Sequence, residues 1–373
     1  MSDHPNPRIR GLQQAGVSIW LDSLSRELLE SGHFGELIRD YAVTGATSNP
    51  TIFAKAITGS DRYDAQLREL AAAGVGDPRE LFFALALDDV RSAARQLRTA
   101  YDASSGRDGF VSFECTPDLA DDADATVAQA LDVWARLSQP NVMIKVPATD
   151  AGLVAIKELT RLGVNVNVTL LFAVERYQQV IDAYISGLAA RAAAGDPLEG
   201  ISSVASFFVS RIDAKVDAAL PPGSELRGRV AVANARVAYQ TYQAKFAGPA
   251  WDALERQGAT RQRPLWASTG TKNPDYSDVL YVSELVGPDV INTMPEATLH
   301  AFGDHGLVRR TVDADPLDAS DILTAAREAG IDLPRIAEEL EREGVRSFSD
   351  SYNEIVESIK AKLALAGVSS RSA

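Results

Sequence analysis

The chain has 373 residues, 46% of them hydrophobic and 24% charged, which is the composition of an ordinary globular protein. Its formal net charge of −14 argues against non-specific binding to nucleic acid or to an anionic membrane, while leaving room for a local basic pocket that takes an anionic substrate. No stretch approaches the roughly 18 apolar residues of a membrane span, the N-terminal MSDHPNPRIRGLQQAG lacks a signal-peptide core, the single cysteine, Cys115, excludes an internal disulfide, and His4, His33, His300 and His305 lack zinc-ligand spacing; a cytoplasmic protein without a structural metal is expected.

Taken in chain order, short apolar segments alternate with helical patterns. Residues 18–22 (SIWLD) and 43–47 (VTGAT) read as the first two strands. Three helical stretches, 50–57, 61–73 and 77–104, fill the long interval before the third strand, 110–115 (FVSFEC). An amphipathic helix over 123–138 follows, with Val127, Leu131 and Trp134 as its apolar stripe. The fourth strand is 141–147 (NVMIKVP), and the helix after it, 150–162, carries Leu153, Ile156 and Leu159 on one face. Strand 164–171 (VNVNVTLL), helix 174–194, strand 203–208 (SVASFF) and a helical stretch over 227–257 come next. Strands 264–268 (PLWAS) and 290–294 (VINTM) complete the set, and two or three helices over about 317–366 precede a frayed tail at 367–373. Eight strands alternating with helices predict a parallel sheet closed into one (β/α)8 TIM barrel spanning 1–373, with additional helices after strand two, after strand six and at the C-terminus. No G-x-G-x-x-G follows the first strand, which disfavours an open dinucleotide-binding sheet.

The fourth strand sets a lysine in a β-branched run. Alternation puts Val142, Ile144 and Val146 on one face and Met143, Lys145 and Pro147 on the other. Lysine is rarely buried without a partner or a function. Other strands show the same polar face: Ser18, Trp20 and Asp22 in the first, Ser112 and Glu114 in the third, Asn165, Asn167 and Thr169 in the fifth, Ser206 and Phe208 in the sixth. Asn49 follows the second strand and Ser268 closes the seventh. A strand with one face in water gives the same alternation, but parallel sheets are usually covered on both faces. The apolar faces, Val164, Val166, Val168 and Leu170 among them, are therefore expected to meet the helices, and the polar faces to line the barrel near its C-terminal mouth.

Such a set suits one chemistry. A desolvated lysine adds to a carbonyl and forms a Schiff base. The iminium is an electron sink, so a neighbouring C–C bond breaks and leaves an enamine. One base must take the hydroxyl proton of the departing aldehyde, and a second group must move protons during imine formation. Asp22 and Glu114 can divide those roles. Asparagine and serine side chains suit sugar hydroxyls, and Arg211, just past the sixth strand, suits a phosphate.

The segments WLDSLSR (20–26), TGATSNPTIF (44–53), VSFECTPDLA (111–120), VMIKVPAT (142–149), NVNVTLLF (165–172) and SFFVSRID (206–213) together resemble the transaldolase family, in its longer bacterial form, over nearly the whole chain. The resemblance implies a Schiff-base mechanism without metal or cofactor. It implies transfer of a dihydroxyacetone unit between sugar phosphates, from sedoheptulose 7-phosphate and glyceraldehyde 3-phosphate to erythrose 4-phosphate and fructose 6-phosphate, in the non-oxidative pentose phosphate pathway. By the same resemblance Lys145 is the Schiff-base lysine, Asp22 the acid/base of C–C cleavage, Glu114 the carboxylate acting through a catalytic water, and Thr169 the hydroxyl holding that water. Asn49, Asn167 and Ser206 meet the dihydroxyacetone hydroxyls, and Arg211 the phosphate. Lys272 with Ser268, in ASTGTKNP (267–274), stands where the family usually has a second phosphate arginine. Phe208 stands near the place where shorter aldolases that release free dihydroxyacetone carry a tyrosine. Such an aldolase, and a barrel that binds sugar phosphates without turnover, are the rival readings. The expected partners are small-molecule sugar phosphates, with no nucleic acid or membrane, and the expected state is a monomer or homodimer.

Overall fold

The computed structural model describes residues 5–314 and 316–365. The tail expected at 367–373 lies outside the described residues. Eight parallel strands close in chain order into a barrel: β1 Val17–Leu21, β2 Gly45–Thr47, β3 Val111–Glu114, β4 Val142–Pro147, β5 Val166–Leu171, β6 Ser203–Phe208, β7 Arg263–Ala267 and β8 Val290–Met294. Pairing of β1 with β8 shuts the ring. The β2 strand is shorter than its apolar segment, and Gly45 shows why a small residue stands in it. A Cβ there would come within 2.4 Å of the Trp20 indole, which lies across β2 and donates to Asp108 Oδ1 at 2.8 Å.

The outer faces of the strands pack on the surrounding helices as alternation requires. Phe207, for example, meets Tyr177 of the helix Val174–Ala193 and Trp266 of β7. Two stripes differ from expectation. The helix Ala123–Leu137 buries Thr126, Ala130, Val133 and Leu137, one residue off the expected set. Leu131 is exposed, and Val127 and Trp134 are half-buried, because small residues let this helix sit close to the barrel. In the helix Asp150–Arg161, Ile156 and Leu159 are buried but Leu153 only half so, with Ala155 taking its place in the core. The stretch 227–257 is two helices, Val230–Lys245 and Pro249–Glu255, separated at Gly248, whose φ of +92° no β-branched residue would adopt readily.

The C-terminal region departs most from the reading by pattern alone. It forms Pro316–Glu328 and then one 33-residue helix, Leu333–Leu365, which crosses the barrel mouth. Strict alternation places Leu170 on the outer face of β5. Instead the β5–β6 register shifts between Val168 and Leu171, and Leu170 takes a left-handed φ of +55°. A bulge of this kind re-aims a side chain. Leu170 now meets Gly344 of the long helix, where a Cβ would come within 2.6 Å of its Cδ2.

Candidate active site

Strand register assembles the site. Pairing of β3 with β4 sets Glu114 opposite Lys145, and pairing of β4 with β5 sets Lys145 opposite Asn167 and Pro147 opposite Thr169. Lys145 is 4% exposed. Its Nζ forms an ion pair with Glu114 Oε2 at 3.2 Å and donates to the Ser48 carbonyl at 3.1 Å. Ser48 is held in turn, its Oγ donating to the Ser112 carbonyl at 2.7 Å. A buried ammonium needs such partners, since each ion loses its hydration on burial. Burial also raises the Glu114 carboxyl above its ordinary pKa, with Lys145 opposing the shift. Thr169 Oγ1 is buried without a hydrogen-bond partner, and Glu114 Oε2 is buried with the Lys145 ammonium as its ion-pair partner. The Thr169 hydroxyl therefore keeps an interaction to offer a small polar ligand beside that pair.

Asp22 lies one residue past β1, its N–H donating to the Met294 carbonyl at 2.9 Å. Thr47 Oγ1 donates to Asp22 Oδ1 at 3.2 Å and is shared with Thr293 Oγ1 at 2.9 Å. Burial raises the Asp22 carboxyl, and the positive charges of Lys145 and Arg211 and the Thr47 hydrogen bond partly offset this. Both carboxyls are thus raised above their ordinary range by burial, with the Lys145 charge opposing the shift in each.

Below the lysine runs a polar chain across the barrel. Ser206 Oγ donates to Asn167 Oδ1 at 2.7 Å, and Asn167 Nδ2 donates to Ser112 Oγ at 3.0 Å. Asn49 also serves the fold. Its Oδ1 accepts from the Ile52 N–H at 2.9 Å and caps the helix Pro50–Thr58, so its amide NH2 is the end left for a ligand. Arg211, in the first turn of the helix Ser210–Ala219, lies with its guanidinium carbon 5.2 Å from the Phe208 ring centroid. Phe208 is buried and also touches Phe172, at 5.1 Å between centroids. Ser268, at φ +56°, shares a hydrogen bond with Ser210 at 2.9 Å and so ties the end of β7 to the arginine helix. Lys272 is exposed on the loop beyond β7.

Some residues of the expected polar face serve the barrel itself. Ser18 Oγ accepts from Arg263 at 2.8 Å, and Asn165 Nδ2 donates to the Pro140 and Val142 carbonyls. Thr47, Thr293, Ser48 and Phe348 join the site although no pattern in the sequence marks them; Thr47 and Ser48 lie in the run TGATSNPTIF, but their contacts arise only on folding. A cleft of about 380 Å3 opens beside Asp22, lined also by Ser23, Ser25, Lys55 and Tyr63. Another, of about 400 Å3, lies at the N-terminal ends of β6 and β7 around Ser203 and Arg263 and is lined by none of Lys145, Glu114, Asp22, Asn167, Ser206 or Arg211. Among the described residues, no group of three or more His, Cys, Asp or Glu is arranged to hold a metal, and no helix is long and apolar enough to cross a membrane.

Comparison with known proteins bears on the same residues. The family model described as Transaldolase/Fructose-6-phosphate aldolase matches residues 19–359. A transaldolase of Acidothermus cellulolyticus is 50% identical over 357 residues, 94% of this chain and 96% of that protein. One from Saccharopolyspora erythraea is 49% identical, covering 96% and 98%, and one from Mycolicibacterium smegmatis 47%, covering 96% and 98%. With matches that take in every strand from β2 to β8 and the lysine, both carboxylates and the arginine together, the chain belongs to the transaldolase/fructose-6-phosphate aldolase family.

Proposed function

We propose that the chain is a transaldolase that carries a dihydroxyacetone unit between sugar phosphates on Lys145. The observation that supports this most is the buried amine 3.2 Å from Glu114. In this reading Glu114 takes a proton from the ammonium, and the free amine adds to the ketose C2 carbonyl. The carbinolamine loses its hydroxyl as water, with protons moving through Glu114 and a water held between it and Thr169. Asp22 then takes the C4 hydroxyl proton. The C3–C4 bond breaks, its electron pair passes to the iminium, and an enamine and a free aldose phosphate result. Addition of the enamine to a second aldehyde reverses these steps. Asn49, Asn167 and Ser206 hold the hydroxyls of the three-carbon unit, and Arg211 holds the phosphate, with Ser268 and Lys272 beside it.

Sedoheptulose 7-phosphate and fructose 6-phosphate are the proposed donors, with glyceraldehyde 3-phosphate and erythrose 4-phosphate as acceptors, in the non-oxidative pentose phosphate pathway. This reading carries with it a cytoplasmic location and action as a monomer or homodimer. A coupled assay with fructose 6-phosphate, with and without erythrose 4-phosphate, tests it: turnover should depend on the acceptor. Equal turnover without acceptor, with free dihydroxyacetone as product, would instead identify an aldolase.

Two expectations follow for this site. Chelators such as EDTA should leave turnover unchanged, because the iminium accepts the electron pair that a divalent ion would otherwise stabilise. Activity lost in EDTA and restored by a divalent ion would refute the mechanism. Phe208→Tyr adds one hydroxyl at nearly constant volume beside Arg211 and Phe172. A phenol there can hold water near the intermediate or protonate the enamine, so release of dihydroxyacetone without acceptor should rise while transfer to erythrose 4-phosphate falls. Positioned acid–base help is typically worth about 10²–10⁴-fold, and the gain here should lie at the lower end because Glu114 already serves the water. A proportional fall in both rates would show that Phe208 only fills space.

A further inference from the structure

The helix Leu333–Leu365 does more than cover apolar surface. It sets Phe348, itself buried, with its ring centroid 5.9 Å from Lys145 Nζ. The helix is fastened on several sides of the mouth. Gly344 lies against Leu170, beside Thr169 on β5. Ser351 Oγ and Thr51 Oγ1 share a hydrogen bond at 2.8 Å, two residues beyond Asn49. Tyr352 stands edge-on to Phe82 with centroids 5.6 Å apart, and Lys362 donates to the Ser60 carbonyl at 2.8 Å. Near Arg211, Lys215 pairs with Glu343 at 2.7 Å. The backbone strain at Leu170, a branched residue held at φ +55°, is confined to the strand end that meets this helix.

We propose that Phe348 determines the outcome of the reaction, transfer rather than hydrolysis, by walling the Lys145 adduct off from bulk water. The inference rests on the transaldolase reading and extends it to a residue outside the eight strands and their loops. Loss of the three-carbon unit requires two steps in which solvent takes part. The enamine carbon first takes a proton, regenerating the iminium. Water then adds at C2 and gives up a proton, and the carbinolamine expels the Lys145 amine, which takes a proton back, to leave dihydroxyacetone. Phe348 offers neither a proton nor an acceptor for water, and its ring occupies space next to the nitrogen that solvent would otherwise fill. The same ring suits both charged states of that nitrogen, the ammonium before reaction and the iminium during it, since an aromatic face within about 6 Å attracts a cation. Closure of an active site against water is a recognised means of preventing hydrolysis of a reactive intermediate. What singles out Phe348 is that the helix bearing it is anchored both to the helix after β2 and to the end of β5, so the ring is held on the lysine.

The test compares wild type with Phe348→Ala and Phe348→Leu. Dihydroxyacetone release from fructose 6-phosphate alone is measured beside transfer to erythrose 4-phosphate, and the ratio of the two rates is the readout. In the alanine variant that ratio should rise about tenfold, below the ~10²–10⁴ of positioned acid–base help because only unassisted solvent is admitted. The leucine variant, which keeps an apolar side chain and secures a folded protein for the comparison, should show a smaller rise. Borohydride should still trap the adduct on Lys145 in both. Gly344→Ala, which pushes the helix away from Leu170 without altering Phe348, should move the ratio in the same direction. Release and transfer falling together, or an unchanged ratio in all three variants, would overturn the inference, since a merely structural phenylalanine lowers both rates alike. Absence of any Lys145 adduct in the wild-type protein would instead overturn the transaldolase reading on which the inference stands.

Discussion

Lys145→Ala should abolish transaldolase turnover and leave no adduct for borohydride to trap, while the far-ultraviolet circular dichroism stays that of the native barrel. In the proposed mechanism the amine supplies the covalent step, and among the described residues the register of β3, β4 and β5 brings Lys145 alone of the lysines into contact with Glu114. Removal also strands a carboxylate. Breaking a buried ion pair typically costs about 3–5 kcal/mol when the remaining charge stays uncompensated. Glu114 has an escape, because burial already raises its pKa and loss of the Lys145 charge raises it further. It can take a proton instead of remaining charged. The variant should therefore melt below wild type, with a gap that widens as pH rises and Glu114 is forced to ionise. Lys145→Met, which fills the volume without a charge, should show the same loss of activity. More than a few percent of residual rate, or trapping on a different lysine, would remove Lys145 from its assigned role.

The barrel is legible because apolar outer faces recur along the chain, β-branched most clearly in β4 and β5, and the site because polar residues interrupt that pattern on the inner face. VMIKVP is the clearest case: its valines and isoleucine face outward, and the one residue that breaks the run reaches Glu114. Asn167 and Ser206 are legible for the same reason, and the structure joins them by a hydrogen bond. Alternation fails where the backbone departs from a regular strand. Leu170 sits in phase with Val166 and Val168, yet the bulge turns it to the mouth. No local residue type announces this, since a leucine at positive φ is tolerated only when surrounding structure imposes it.

The long C-terminal helix is legible as a helix but not in its placement. Ile336, Leu340, Phe348, Tyr352, Ile355 and Ile359 form an apolar stripe that would suit any packed helix. A stripe says that a face is buried and not against what. Phe348 therefore reads as ordinary core until the fold lays it beside Lys145, and Gly344 reads as a weak point until Leu170 appears beneath it. Thr47 is similar. Its hydroxyl matters because it reaches from β2 to both Asp22 at the end of β1 and Thr293 of β8, at separations in sequence that no local pattern links. The proposed phosphate end is the least determined by local signals: Arg211 is anchored over Phe208 at the start of a helix, whereas Lys272 sits on an exposed loop.

Asp22→Ala should separate imine formation from cleavage. Asp22 is held by Thr47, and the charges of Lys145 and Arg211 both act on it. It should act only after the Schiff base exists, on the C4 hydroxyl proton. Loss of a positioned base typically costs about 10²–10⁴-fold, so turnover should fall by that order. Glu114 and Thr169 remain, so dehydration of the carbinolamine continues, and the variant should accumulate a borohydride-trappable adduct carrying the intact ketose. Mass spectrometry distinguishes the six-carbon phosphate adduct from the three-carbon one; a three-carbon adduct alone would mean that cleavage proceeds without Asp22. The pH dependence has a definite sign. Burial raises the Asp22 pKa in the folded state above that of the unfolded chain, so the native protein binds more protons and stability falls as pH rises through that interval. Asp22→Asn, which keeps the shape and removes the charge, should therefore melt above wild type at pH 8, and the advantage should shrink as pH falls toward the ordinary carboxylate range. The same carboxyl must be ionised to accept the C4 proton, so wild-type activity should rise with pH over the range in which this part of the stability is lost. An asparagine variant that is inactive yet no more stable than wild type at pH 8 would show that Asp22 is not held in the folded protein at a cost, and its role as a burial-tuned base would have to be abandoned.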